Sequence, residues 1–361
     1  MVDIQAITPQ IKRNCDISDA KYWGAFSICT FLLKLRELYR TENCVKPWEK
    51  IQKNEIDKWI SEREKLWKKL EKEDFGDIFI DGNSYSPFEV KKINAELEKD
   101  GFIYGAGLGV YMKPSFFLAD LLSRKTIHGY DVYIAGDEYA RDLSDYPATL
   151  QEKAIFVRTE AAKLLIWEKF EELRLRGIKS APEYLVFAFL KYNLMPENEL
   201  IGDIAEQLSL IASSEIDTYI YHEVGEAIEG EQLGNEWHSL FAELLSYRRA
   251  EIFARRVKDL LSDTSEKGML KYIIENGKEG SLGFYIVFLD GYRKLLFPEI
   301  MDAFKKFVEI GDWEIIEDAR KTGYSRARAY VDSLLYIYRR YKSEKGWVSR
   351  YIEDGILSGI G

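Results

Sequence analysis

Residues 204–233 read IAEQLSLIASSEIDTYIYHEVGEAIEGEQL. No proline interrupts them, and Ile204, Leu208 and Ile211 fall on one stripe of a helix that turns about 100° per residue. Continued, that stripe carries Glu215, Thr218, His222, Glu226, Glu229 and Leu233. A second apolar stripe of Ile216, Ile220, Val224 and Ile228 runs on roughly the opposite side. The spacing predicts a long helix over 197–232. Because one of its apolar stripes is built partly of carboxylates, this helix frames both the fold and the search for a site.

Working outward, helical periodicity continues on both sides. Helices are expected over 150–176, 182–194, 235–262, 265–276, 281–296, 298–309, 312–321 and 323–345. Residues 1–73 read as two more, one over 18–39 and one starting at Pro47, a residue suited to the first helical turn. The zone from 74 to 148 differs. Gly, Asp and aromatic residues cluster there, with β-like pieces such as Ile78-Phe79-Ile80 and Tyr130-Asp131-Val132-Tyr133-Ile134. Between them Ser86-Pro87-Phe88-Glu89 forms a capping box for a short helix that should end near Gly101. The expected architecture is mainly α, a multi-helix bundle with a small inserted α+β module, winged-helix-like. Its domains would be a helical pair at 1–73, the α+β module with a Gly-rich hairpin at 74–148, and a helical domain at 149–361.

At 361 residues, 46% hydrophobic and 31% charged, the chain is long enough for two cores and too apolar for disorder. Cys15, Cys29 and Cys44 match no zinc or disulfide spacing, so they read as reduced thiols of a cytoplasmic protein. The apolar run from Tyr22 to Leu33 is too short to span a bilayer and lacks a cleavage site, so neither a membrane anchor nor a signal peptide is expected. A net charge of −10 disfavours general nucleic-acid binding. The charge is uneven, however: nine Lys/Arg lie between Arg320 and Arg350, opposed only by Asp332 and Glu344. Ala327, Val331, Leu334, Tyr338 and Tyr341 give that segment a core stripe. Arg328, Arg339 and Arg340 lie off it, toward water or the acidic remainder of the protein.

The run His222-Glu223-Val224-Gly225-Glu226-Ala227-Ile228-Glu229-Gly230-Glu231 concentrates the chemistry. His222 and Glu226 stand at i and i+4, able to share one metal ion, with Glu229 as a third or outer-sphere ligand. Glu223 would be the base or a further ligand, as in the zincin His-Glu-x-x-His motif, with Glu226 replacing the second histidine. Divalent Fe or Mn suits such a mixture, as does Zn, and the reaction class would be metal-assisted hydrolysis or oxidation. Two other readings compete. If Ser213-Ser214 breaks the helix, the opposite stripe faces the core and the acidic run is a solvated face. Alternatively, the carboxylates are buried and paired with Arg248-Arg249 or Arg255-Arg256 of the next helix. His238 lies about four helical turns beyond His222, too far to share an ion without a bend. A different functional class also fits the charge asymmetry: a non-enzymatic interaction protein using its acidic and basic surfaces for a partner or for self-association.

Tyr104-Gly105-Ala106-Gly107-Leu108-Gly109 fails the test for a phosphate loop, because it leads into Val110-Tyr111-Met112-Lys113-Pro114 and not into a helix N-terminus. A hairpin or close backbone packing explains the glycines, and Lys113 and Arg124 are anion-binding candidates nearby. Several stretches carry a resemblance: Tyr85-Ser86-Pro87-Phe88, Tyr104-Gly105-Ala106-Gly107 with Phe116-Phe117-Leu118-Ala119, His222-Glu223-Val224-Gly225-Glu226 with Gly230-Glu231 and Leu233-Gly234, and Arg293 to Leu296 followed by Phe297-Pro298. Together they resemble an uncharacterised bacterial family, the Syntrophobacter-type hypothetical proteins of similar length, from about residue 70 onward. That resemblance implies no catalytic residue. It implies that the glycine-rich hairpin and the acidic helix belong to one protein type.

Overall fold

The computed structural model describes residues 2–109, 112–196, 204–289, 291–344 and 346–359. The chain divides into two compact units, Met1–Trp167 and Glu168–Gly361. By residue the protein is mainly helical, with one five-stranded sheet in the first unit.

The first unit opens with three helices where two were expected: α1 (Ile4–Tyr22), α2 (Ile28–Glu42) and α3 (Lys53–Leu70). Asp3 starts α1 by accepting from the backbone N–H groups of Gln5 and Ala6. Ser27 caps α2 at the backbone N–H of Thr30. The helix expected over 18–39 is therefore split at residues 23–27, and Pro47 lies in the loop ahead of α3.

A short hairpin, β1 (Ile78–Ile80) with β2 (Asn83–Tyr85), precedes α4 (Val90–Leu97). The capping-box residues act as expected, since Glu89 accepts from the Ser86 backbone N–H at 2.9 Å, although the helix itself begins at Val90. The sheet runs β3 (Phe102–Leu108), β4 (Pro114–Ile127), β5 (Tyr130–Arg141), β6 (Ala148–Gln151) and β7 (Ala154–Arg158), in spatial order β3-β4-β5-β7-β6. Only β5 and β7 pair in parallel. Such a sheet, with α4 as the helix ahead of it, does not confirm the winged-helix likeness.

The helix expected from residue 150 starts instead at Thr159, as α5 (Thr159–Arg176). Residues 148–158 form instead the β6–β7 hairpin, whose second strand pairs in parallel with β5. The glycine-rich segment is strand β3. Gly105 lies opposite Phe117, whose ring would sit 2.0 Å from any Cβ added there, so the glycine makes room for an aromatic. Val110 and Tyr111 lie outside the described residues. One face of the sheet packs Tyr104, Phe116 and Leu118 against Ile7, Ile11 and Cys15 of α1 and Ile93 and Leu97 of α4.

The second unit is helical. It contains α6 (Glu183–Lys191), α7 (Ile204–Leu244), α8 (Arg248–Thr264), α9 (Met269–Glu275), α10 (Glu279–Val287), α11 (Gly291–Leu296), α12 (Glu299–Ile310), α13 (Trp313–Tyr341) and α14 (Trp347–Tyr351). The 197–203 part of the expected acidic helix lies outside the described residues. From Ile204 the helix is continuous through Ser213-Ser214 and kinks at Gly234, whose φ of 67° departs from the helical range. Helices expected over 312–321 and 323–345 are one, α13, while residue 345 lies outside the described set. Ala250, Phe253, Ala254, Val257, Leu260 and Leu261 give α8 a continuous apolar face, and it packs against α7 and α13 in the main core of this unit.

Candidate functional site

On α7 both stripes are covered. Leu208, Ile211, Glu215, Thr218, Glu229 and Leu233 of the mixed stripe are buried, as are Ile220 and Val224 of the opposite stripe and Glu223. The helix thus carries carboxylates into the core, where each one needs a partner. What matters is which partner each finds.

Glu215, the first in line, accepts from the hydroxyl of Ser281 at 2.6 Å and from the hydroxyl of Tyr192. Burial pushes its pKa up, opposed by those hydrogen bonds and by the charge of Lys278.

Two turns on, the Nδ1–H of His222 donates to Asp263 Oδ1 at 2.6 Å. The other oxygen of Asp263 accepts from Arg293 at 2.6 Å. Asp263 is wholly buried, while His222 keeps 25% of its side chain exposed. Burial alone would lower the pKa of His222. The charge and hydrogen bond of Asp263, with Glu223 and Glu226 behind them, push it up to about 10. At neutral pH His222 is therefore an imidazolium.

Glu226 pairs with Lys258 Nζ at 3.2 Å. Burial would raise its pKa, but Lys258 and His222 hold it below the usual carboxylate range. Glu229 accepts from the Tyr324 hydroxyl at 3.3 Å, and burial raises its pKa. Glu223 is buried, and its charge acts on His222.

The four residues singled out from the sequence are therefore neighbours along one helix but do not converge as a ligand set. Among the described residues, no group of three or more His, Cys, Asp or Glu side chains is placed to hold a metal ion. The i/i+4 pair of His222 and Glu226 is separated by chemistry: the histidine goes to an acid on α8 and the glutamate to a base on α8. The buried-carboxylate reading weighed above comes nearest, but the partners differ: Lys258 for Glu226 and hydroxyl groups for Glu215 and Glu229, in place of Arg248-Arg249 or Arg255-Arg256. His238, beyond the kink, is exposed.

Gly225 explains how α7 comes close enough. A Cβ added there would meet the carbonyl oxygen of Ser262 at 2.5 Å and the Cα of Gly268 at 3.1 Å. Both contacts are backbone, one in the last turn of α8, which carries Asp263, and one in the connection to α9. Gly225→Ala must push that turn away, and the expected cost is about 1–3 kcal/mol of stability, typical of overpacking. Urea unfolding of this variant beside Ala227→Gly measures it. A gain of stability in Gly225→Ala, beside a loss in Ala227→Gly, would show that helix propensity governs and that close approach does not.

Sequence reasoning missed Asp263, Arg293, Lys258, Ser281 and Tyr192, because they come from separate elements. One signal was available: Ser262-Asp263-Thr264 continues the apolar stripe of α8, and all three are fully buried. A second charge cluster was missed in the first unit. Lys113, read as an anion-binding candidate, is buried and sits 3.0 Å from Asp19 and 3.3 Å from Asp142. Asp142 also accepts from the backbone N–H of Phe116 at 2.7 Å, and the backbone N–H of Leu143 donates to Asp19 at 3.1 Å. Burial pushes Asp19 up to about 7 despite Lys113. Nearby, Arg158 holds Glu138 in a two-pronged pair at 2.6 and 2.8 Å.

Two adjoining family models account for nearly all of the chain. A family of unknown function (DUF6866) matches with its N-terminal domain at residues 6–158 and its C-terminal domain at 163–355. The chain belongs to this family. The DUF6866 N-terminal match ends with strand β7, and the C-terminal match contains every α7 residue discussed above. An uncharacterised family was expected, and this one has no described activity. No curated protein and no solved structure matches the chain.

Proposed function

We propose that this protein works by binding, without a metal ion held on α7, and that its acidic run is part of the framework. One observation carries the reading. His222, Glu226 and Glu229 are each engaged by a different neighbour, namely Asp263, Lys258 and Tyr324. A metal ion at His222 would have to displace a proton that Asp263, Glu223 and Glu226 help to hold.

The basic C-terminal segment supports the same view. Arg320 is buried against Glu317, Arg326 pairs with Glu299, and Arg339 pairs with Glu236 at 2.6 Å. Cations spent on internal partners do not form the stripe that nucleic acid needs. Among the described residues no helix is long and apolar enough to cross a membrane. Three free cysteines fit a reducing, cytoplasmic setting.

A second reading keeps the metal. Nε2 of His222 has no hydrogen-bond partner among the described residues, and Glu226 and Glu229 could join it as ligands, with Glu223 as base, if Asp263 and Lys258 let go. Elemental analysis of purified protein, grown with Fe, Mn and Zn supplied, separates the two. The binding reading expects no stoichiometric transition metal in the wild type and no change in His222→Ala/Glu226→Ala. Near-stoichiometric metal that is lost in the double variant would overturn it.

A further inference from the structure

Beside the buried charges of the first unit lies an open cavity of about 280 Å³. Arg40, Lys46, Asp137, Glu138, Arg141 and Glu160 line it. Arg141 is buried, donates through Nε to the carbonyl of Asp142 at 3.2 Å, and stands 3.8 Å from Glu138. Glu138, however, is already held by both prongs of Arg158, which leaves Arg141 Nη2 with no hydrogen-bond partner. A buried guanidinium donor without an acceptor is rare and costly. On the same wall, the Lys46 ammonium and the Asp137 carboxylate have no ion-pair partner among the described residues.

We infer that this cavity binds a small zwitterion of amino-acid size. Its carboxylate would sit toward Arg141 and Lys46, and its ammonium toward Asp137. The lining itself argues for both charges. Arg40 already pairs with Glu37, which also lines the cavity, and Glu160 with Lys163, so the charges left to a ligand are Arg141 and Lys46 on one side and Asp137 on the other. The volume falls just below the range for drug-sized ligand pockets, which suits a smaller molecule. The inference rests on the binding reading above and gives it a ligand class.

Cys44 supplies a reporter, because it is exposed and lines the cavity, whereas Cys15 is buried. In full-length Cys29→Ser protein, Cys44 is the one remaining exposed thiol, and its rate of alkylation by iodoacetamide can be followed by mass spectrometry. The probes are the proteinogenic amino acids, with acetate and methylammonium as single-charge controls. At least one amino acid should slow alkylation saturably, while neither control does. Arg141→Gln should weaken that protection at least about tenfold, a loss well within reach of one charged contact. Asp137→Asn, at an exposed position, should weaken it too without threatening the fold. Protection by no amino acid, equal protection by acetate, or protection unchanged in both variants would each overturn the inference. Those failures leave the metal-free reading of α7 standing. Conversion of a bound amino acid to product would instead overturn the purely binding role while keeping the site.

Discussion

Asp263→Ala is expected to cost the second unit about 3–5 kcal/mol, the range found when one member of a buried ion pair is removed. The wild-type carboxylate serves His222 and Arg293 at once, each at 2.6 Å, from a position with no exposure. Its loss leaves two cations facing each other without an anion between them. The effect has a pH signature as well. An unfolded histidine gives up its proton near 6.5, whereas His222 in the folded chain holds it to about 10. The contribution of this pair is therefore complete below about 6.5 and is lost as pH rises through about 10. Urea unfolding across that window should show wild-type stability falling with pH, and the fall should be much reduced in Asp263→Ala. A variant that loses less than about 1 kcal/mol, the scale of a surface pair, would mean that Asp263 does not bind the cations as described.

Lys113→Met is expected to have an effect of similar size in the first unit, again about 3–5 kcal/mol. The ammonium lies between Asp19 and Asp142, and all three are buried. Methionine keeps much of the stem's bulk but leaves two carboxylates without their counter-charge. Burial already pushes Asp19 from 3.8 up to about 7. Its protonated form thus favours folding below about 3.8, and that benefit is lost as pH rises through about 7. Without Lys113 the shift grows, so the variant should regain stability as the solution is made more acidic. Adding Asp19→Asn should restore part of the loss at neutral pH. If Lys113→Met unfolds at the same urea concentration as wild type, the cluster contributes little and the lysine is a solvated stem.

How much of this could be read from the sequence depended on how local each feature is. The acidic helix was legible because its stripes repeat within the helix itself, and Ser86 with Glu89 was legible because a capping box spans four residues. Residues 150–158 were misread as helix because Gln151, Glu152, Lys153 and Ala154 are good helix formers. Gln151 and Ala154 instead flank the turn of the β6–β7 hairpin, and β7 is held by parallel pairing with β5, which local pattern does not report. The same limit applies to the site. The sequence showed that His222, Glu223, Glu226 and Glu229 lie close together, and they do. Where each side chain turns was decided by Asp263 and Lys258 of α8, Tyr324 of α13 and Arg293 of α11, none of them adjacent in sequence. A metal centre and a set of separate ion pairs begin from the same spacing and diverge only when the partners arrive.

The central claim is that His222 is a charged member of a buried pair, and its ionisation tests this most directly. Nitrogen-15 NMR of the imidazole rings, with His222 assigned by comparison with His222→Gln, follows each nitrogen through a pH titration. The account expects His222 to remain imidazolium through neutral pH and to titrate near 10, with Nδ1–H held in a strong hydrogen bond. A ring that is neutral at pH 7, or one whose nitrogen is shifted by a bound metal, would contradict it.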